Sequence, residues 1–305
     1  MQHYDLIIIG AGSAGLPAGM YASRYNLKNL IIGSMPGGAL ATSHKVENYP
    51  GTISAPGKEI MDNFRRHAES SGSEIIQDTV INVDKNENGF VIKTASQKEF
   101  NSKFVIYATG NKYRKLGFIG ENEFLGKGVS YCATCDAMFF KGLDVAIVGG
   151  GNTALTESLF LADICKKVYL IHRRDTFRAE TVRVNKVKNT PNIEMVLNEE
   201  VESVNGSMFM EEIHLKSGKV LKADGLFVAI GNEPDTKIID HLNPLKDEEG
   251  CLVVDQRQET SVPGLYAAGD ITTNSNKFRQ TIMSAAEGCL AANSVHEEIV
   301  KLGHN

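Results

Sequence analysis

Short apolar runs that end in glycine, each followed by a helical stretch, recur along the chain, which is the alternation expected of an α/β protein. The first run, Tyr4-Asp5-Leu6-Ile7-Ile8-Ile9, ends in Gly10-Ala11-Gly12-Ser13-Ala14-Gly15. A helix is expected from Ser13 to about Tyr25, and Leu30-Ile31-Ile32 reads as the next strand of a βαβ unit. The pattern returns at Asp144-Val145-Ala146-Ile147-Val148, which ends in Gly149-Gly150-Gly151-Asn152-Thr153-Ala154. A helix to about Asp163 and the strand Val168-Tyr169-Leu170-Ile171 follow. Gly33 and His172 each lie 23 residues beyond the first glycine of their turn. The units also close alike, with Phe104 to Asn111 resembling Leu226 to Asn232.

A G-x-G-x-x-G/A between strand and helix allows a tight turn, close approach of backbone to pyrophosphate, and close helix–strand packing. The helix N-terminus adds free N–H groups and a positive dipole end for phosphate. The spacing predicts one nucleotide-binding design used twice: an α/β chain with two Rossmann-like nucleotide-binding domains. The alternative is a pair of structural glycine turns in an ordinary α/β protein.

The copies differ where the adenosine ribose should lie. His172-Arg173-Arg174-Asp175-Thr176-Phe177-Arg178-Ala179 follows the second copy's second strand, whereas the first copy has Gly33-Ser34-Met35. Guanidinium forks pair with phosphate oxygens in bidentate fashion, so the arginine cluster favours NADP(H) over NAD(H). A third signal is Gly264-Leu265-Tyr266-Ala267-Ala268-Gly269-Asp270, a strand ending in a carboxylate, with Arg279-Gln280-Thr281 at the next helix start. Such a carboxylate can accept hydrogen bonds from a polyhydroxyl chain such as ribitol; it could equally be a strand end before a helix cap.

At 305 residues the chain has length for two ordinary domains. Charged residues at 23%, hydrophobic ones at 42% and a net charge of -5 suit a globular protein and argue against nucleic-acid binding. No basic n-region, long apolar h-region or cleavage site precedes the first strand, so no export signal is expected, and no apolar run approaches the roughly 18 residues of a membrane span. The expected location is the cytoplasm.

Five cysteines are present, and only Cys132 and Cys135 are close in sequence; Cys165, Cys251 and Cys289 read as small core residues. Two intervening residues permit a disulfide or a shared metal ion, but no second Cys-x-x-Cys or suitably spaced His pair completes a zinc site. In a reducing compartment the pair reads as catalytic. A helix expected to begin near Cys135 would lower its thiol pKa. A nicotinamide donates a hydride, a disulfide accepts electrons through thiolate chemistry, and a flavin is the natural intermediary.

These residues carry a family resemblance. Cys132-Ala133-Thr134-Cys135-Asp136, His172 to Asp175 with Phe177-Arg178-Ala179, Gly149 to Ala154, Ala267-Ala268-Gly269-Asp270 with Arg279-Gln280, and Val46-Glu47-Asn48-Tyr49-Pro50-Gly51 resemble bacterial low-molecular-weight thioredoxin reductases over essentially the whole chain. The resemblance implies a discontinuous FAD domain, 1–112 plus 243–305, with an NADPH domain, 113–242, inserted. It implies a homodimer, thioredoxin or a thioredoxin-like partner, and a domain rotation that brings nicotinamide and disulfide to the flavin in turn. By analogy Cys135 faces the flavin, Cys132 attacks the partner's disulfide, and Asp136 is either the acid/base or a helix cap.

Motifs and resemblance together put FAD on Gly10, Gly12, Ser13, Ala14, Gly15, Gly38, Leu40, Asn48 and Val83, then on Ala108, Thr109 and Gly110, and finally on Asp270, Arg279, Gln280 and Thr281. NADPH is expected on Gly151, Asn152, Thr153, His172, Arg173, Arg174 and Arg178. The chain departs from the family at Ala39, where a glutamine is common, and at Thr156-Glu157, where paired glutamates are common. Two other readings use the same residues: a reductase serving a peroxidase system through a separate carrier, and a non-enzymatic NADP-sensing redox switch.

Overall fold

The computed structural model describes residues 2–43 and 46–303. Among them are six α-helices: α1 (Gly15–Arg24), α2 (Gly57–Ser71), α3 (Ala133–Asp136), α4 (Asn152–Ala162), α5 (Thr181–Lys188) and α6 (Thr281–Gly303). The chain divides into two compact units, Met1–Lys112 with Glu233–Asn305, and Tyr113–Asn232.

In the first unit, Gln2–Ile9 pairs in parallel with Asn29–Gly33 on one side and Glu99–Tyr107 on the other. Glu74–Gln77 extends the sheet beyond Asn29–Gly33, and Leu265–Ala267 pairs in parallel with Glu99–Tyr107. The antiparallel strands Gly89–Thr94 and Val80–Asn86 complete it. Period-two alternation sends Ile7, Ile9, Val105 and Tyr107 to one core and Leu6, Ile8, Phe104 and Ile106 to another. Both faces are covered, so the first strand is apolar without a break from Leu6 to Ile9. Helices α1 and α6 lie on the Leu6 face, with Leu16, Ala18, Ala22, Ala291, Ala292 and Val295 buried there.

The return to this unit falls at Glu233, ten residues before the 243 expected from the sequence. Residues 233–242 belong here because the Tyr107 and Thr109 hydroxyls donate to the Asp235 carbonyl at 2.7 and 3.1 Å. Ile239 is also fully buried in the Ile7 core.

The second unit has a five-stranded parallel sheet in the order Ile193–Leu197, Lys167–His172, Asp144–Val148, Gly225–Val228, Val129–Ser130. Ala146, Val148, Ile171, Leu226 and Val228 form one buried face with residues of a three-stranded antiparallel sheet, Val201–Gly206, Met210–Leu215 and Val220–Lys222. Val145, Ile147, Val168, Leu170 and Phe227 form the other, against Ala133 and Ala137 around α3, Leu155 of α4 and Val187 of α5. The cysteine-bearing turn is thereby packed on a dinucleotide fold. No helix among the described residues is long and apolar enough to cross a membrane.

Candidate functional site

Both glycine turns lie where a strand meets a helix, and the two are built alike. Gly10 has φ +120°, and a Cβ there would stand 2.2 Å from the Ala108 carbonyl oxygen. A Cβ on Gly149 would stand 2.4 Å from the corresponding Ala229 oxygen and 2.5 Å from the Ala154 methyl, so a small side chain is required at the third motif position. The N-cap residues Ala14 and Gly151 make no side-chain cap hydrogen bond. The first-turn N–H groups of α4 and the Gly15 N–H of α1 have no capping acceptor among the described residues, which suits a phosphate, while the Leu16 N–H is taken by the Gly12 carbonyl at 3.1 Å.

Around the first turn the structure assembles residues far apart in sequence. A Cβ on Gly38 would be 3.0 Å from the Gly12 Cα, and one on Gly269 3.1 Å from the Ala14 methyl. The Asn48 amide donates to the Gln280 side-chain oxygen at 3.0 Å, joining two expected flavin residues. Asp270 accepts from the Ser284 hydroxyl at 3.2 Å. Burial raises its pKa, opposed by Ser284 and by the Arg279 guanidinium. The Val83 side chain is fully enclosed in the Ile7 core, leaving only backbone to meet a nucleotide.

Several supporting groups carry no motif signal. Glu287 is buried in α6, and its carboxylate accepts from the Gly269 N–H at 2.8 Å, the Thr272 hydroxyl at 3.2 Å and the Ser275 hydroxyl at 2.5 Å. It pins the loop that carries Asp270. Its one sequence hint is an acid alone among small residues, Ser284 to Cys289. Arg279 is held by the buried Cys251 sulfur at 3.6 Å and by Glu249 at 3.7 Å.

Cys132 and Cys135 form a disulfide. The helical turn begins at Ala133, so Cys132 occupies its N-cap and the Cys135 and Asp136 N–H groups donate to the Cys132 carbonyl at 3.2 Å. Cys132 is half-buried and Cys135 exposed. Buried Ser130 donates to the Asp136 carboxylate at 2.6 Å and accepts from the Cys132 N–H at 3.0 Å. One hydroxyl thus fixes the acid and the disulfide backbone together.

The other three cysteines are free. Cys165 and Cys251 are buried, as expected. Cys289 is only half-buried, because the inward stripe of α6 runs through Ser284, Glu287, Gly288, Ala291 and Val295 and leaves it to one side. Burial pushes the Cys289 thiol up to about 11.

At the second turn, Arg173, Arg174 and Arg178 are exposed, and none forms a salt bridge among the described residues. His172 lies beneath them rather than beside them. Its ring is 8% exposed, stacks on Phe177 at 5.1 Å, and donates from Nε2 to the Thr176 carbonyl at 3.1 Å. Burial lowers its pKa, so the ring is neutral near pH 7 and props the arginine loop. The Arg178 N–H donates to the Gly150 carbonyl at 2.9 Å, tying that loop to the glycine turn.

Two dinucleotide folds with a Cys-x-x-Cys disulfide on the second define a pyridine nucleotide-disulphide oxidoreductase, and residues 4–288 match that family. A thioredoxin reductase of Mycoplasma pneumoniae is 39% identical over 300 residues, 96% of this chain and 95% of its own. The crystal structure of thioredoxin reductase from Streptococcus pyogenes has a TM-score of 0.92 at 32% identity, covering 98% of this chain and 99% of that one. A glucosaminate ammonia-lyase of Pseudomonas fluorescens is 41% identical over 96% of this chain and 94% of its own, so likeness along the chain does not by itself select the chemistry. The chain belongs to the low-molecular-weight, flavin-dependent thioredoxin reductases within the pyridine nucleotide-disulphide oxidoreductase family.

Proposed function

We propose that the chain reduces the disulfide of thioredoxin, or of a similar small dithiol protein, with electrons from NADPH carried through FAD and Cys132–Cys135. The observation that carries this reading is the disulfide at the head of α3, packed on a dinucleotide fold with Asp136 held beside it by Ser130. The same disulfide distinguishes the reading from a lyase activity, which needs no redox pair.

FAD suits the first unit because the surface over the head of α1 is walled by glycines and carries half-buried Asp270 at a strand end for ribitol hydroxyls. NADPH suits the second because three exposed arginines, none in a salt bridge among the described residues, surround the end of Lys167–His172, where a 2′-phosphate would lie. Bound flavin supplies two-electron transfer from the nicotinamide to the disulfide.

The chain's own thiols do the rest. Cys132, once reduced, attacks one sulfur of the partner disulfide as a thiolate, forming a mixed disulfide and expelling the partner's other sulfur as a thiolate. Cys135 then attacks the Cys132 sulfur, which re-forms Cys132–Cys135 and releases the reduced partner. Asp136 is placed to exchange the accompanying protons, with its carboxylate fixed by Ser130. The working form is a homodimer, and its place of work is the cytoplasm, where a Cys-x-x-Cys pair serves catalysis rather than structure.

The test is spectral. Purified protein mixed anaerobically with NADPH should lose its flavin absorbance, and oxidised thioredoxin should restore it. A flavin that bleaches but is not restored by thioredoxin would remove that partner. A protein that cannot take up FAD would overturn the reading.

A further inference from the structure

Thr156, one turn into α4, meets a cation from the neighbouring helix. Arg183, on α5, donates from Nη1 to the Thr156 hydroxyl on α4 at 2.6 Å and from Nε to Glu180 at 3.1 Å. Glu180 is tied in turn to Asn152, whose side-chain oxygen accepts from the Glu180 N–H at 2.9 Å and whose amide lies 3.5 Å from the Glu180 carboxylate. Asn152 and Thr156 are four residues apart and so share one face of α4. The four side chains close a ring over that face, with a guanidinium one helical turn below the phosphate-type N-terminus.

An exposed Arg–Glu pair at a helix start contributes little to folding, so stability alone gives little reason for this arrangement. The geometry offers another. A guanidinium has five N–H groups. Nε and one Nη1 proton are engaged, while the Nη2 edge has no hydrogen-bond partner among the described residues. The Arg183 side chain is 39% exposed, so this edge is accessible. Arg173, Arg174 and Arg178 lie after the strand Lys167–His172, on the adenosine side, and none of them takes part in the ring at Asn152. With a neutral hydroxyl at position 156, Glu180 is the one carboxylate paired with Arg183 among the described residues.

We propose that Arg183 is a further cofactor-binding residue, which pairs with the diphosphate of NADPH where it crosses the head of α4. This rests on the assignment of NADPH to the second unit. The three loop arginines select the 2′-phosphate, and Arg183 holds the bridge between the two halves of the nucleotide.

Two probes separate these roles: NADP+, which has both the diphosphate and the 2′-phosphate, and adenosine 2′-monophosphate, which has only the latter. NADP+ is titrated by calorimetry and adenosine 2′-monophosphate by phosphorus NMR, on the FAD-loaded protein. Arg183→Leu should weaken NADP+ about tenfold, the scale of one charge-assisted hydrogen bond, and leave adenosine 2′-monophosphate unchanged. Arg174→Leu should weaken both probes. Thr156→Val keeps the cation and should cost NADP+ less than Arg183→Leu does. Unchanged NADP+ affinity in Arg183→Leu would overturn the proposal, as would an equal loss for both probes. Failure of the unaltered protein to bind either probe would instead remove the NADPH assignment beneath it.

Discussion

Glu157→Gln should stabilise the protein, and only on the alkaline side. Glu157 is half-buried on α4, and no hydrogen bond or ion pair reaches its carboxylate among the described residues. Burial pushes its pKa up from 4.5 to about 7. Below the unfolded value both states are protonated and the site costs nothing. Between about 4.5 and 7 the unfolded chain has released a proton that the folded chain still holds, so stability falls as pH rises. Above 7 the loss is complete. At 1.36 kcal/mol per tenfold in proton affinity the full penalty is about 3 kcal/mol, and residual hydration of a partly exposed group makes about 1–3 kcal/mol the expected range. Glutamine keeps the shape and removes the charge. The chain has no tryptophan, so urea unfolding should be followed by far-ultraviolet circular dichroism, for both proteins at about pH 5 and about pH 8. The variant should gain markedly at the higher pH and little at the lower. A difference that does not change with pH would refute the claim that burial opposes ionisation here.

Cys132→Ser and Cys135→Ser should each abolish turnover with thioredoxin while the flavin spectrum persists, and retained turnover in both would contradict the thiol chemistry. Replacing Arg173 and Arg174 together by leucine should lower NADPH use at least tenfold while sparing NADH, since each removes a charged phosphate contact worth about 1.5 kcal/mol or more; steady-state kinetics with the two nucleotides reads the ratio. Glu287→Leu strands the Gly269 N–H and the Ser275 hydroxyl, while the Thr272 hydroxyl keeps the Gly269 carbonyl as acceptor. At about 1–3 kcal/mol for an unsatisfied buried group it should loosen the Asp270 loop and speed FAD release, measured as flavin lost on dilution; full FAD retention would show that the loop holds without it.

The parts legible in sequence share a cause: each is imposed by contacts within one strand–turn–helix. The strand Asp144–Val148 has the extent expected from its apolar run, because burial on both faces demands continuous apolar residues. Gly10, Gly15 and Gly149 declare themselves because backbone approaches them too closely for any side chain, whereas Gly12 and Gly151 have room for one. The disulfide is legible for a similar reason, since two residues of separation suffice to join Cys132 to Cys135. The return of the chain at Glu233 was not legible, because it depends on Tyr107 and Thr109 bonding a carbonyl more than a hundred residues away.

By itself, then, the sequence determined two βαβ units, the redox pair and the arginine cluster, all of them periodic or short-range. The tertiary structure decided which distant groups support them. Glu287 beneath Gly269, Ser130 beside Asp136, His172 under the arginine loop and Arg183 across Thr156 follow no spacing rule. Such polar groups find partners wherever the packed elements bring donor and acceptor within hydrogen-bond reach, and for the buried ones, Glu287, Ser130 and His172, being left unpaired would cost more than any local preference supplies.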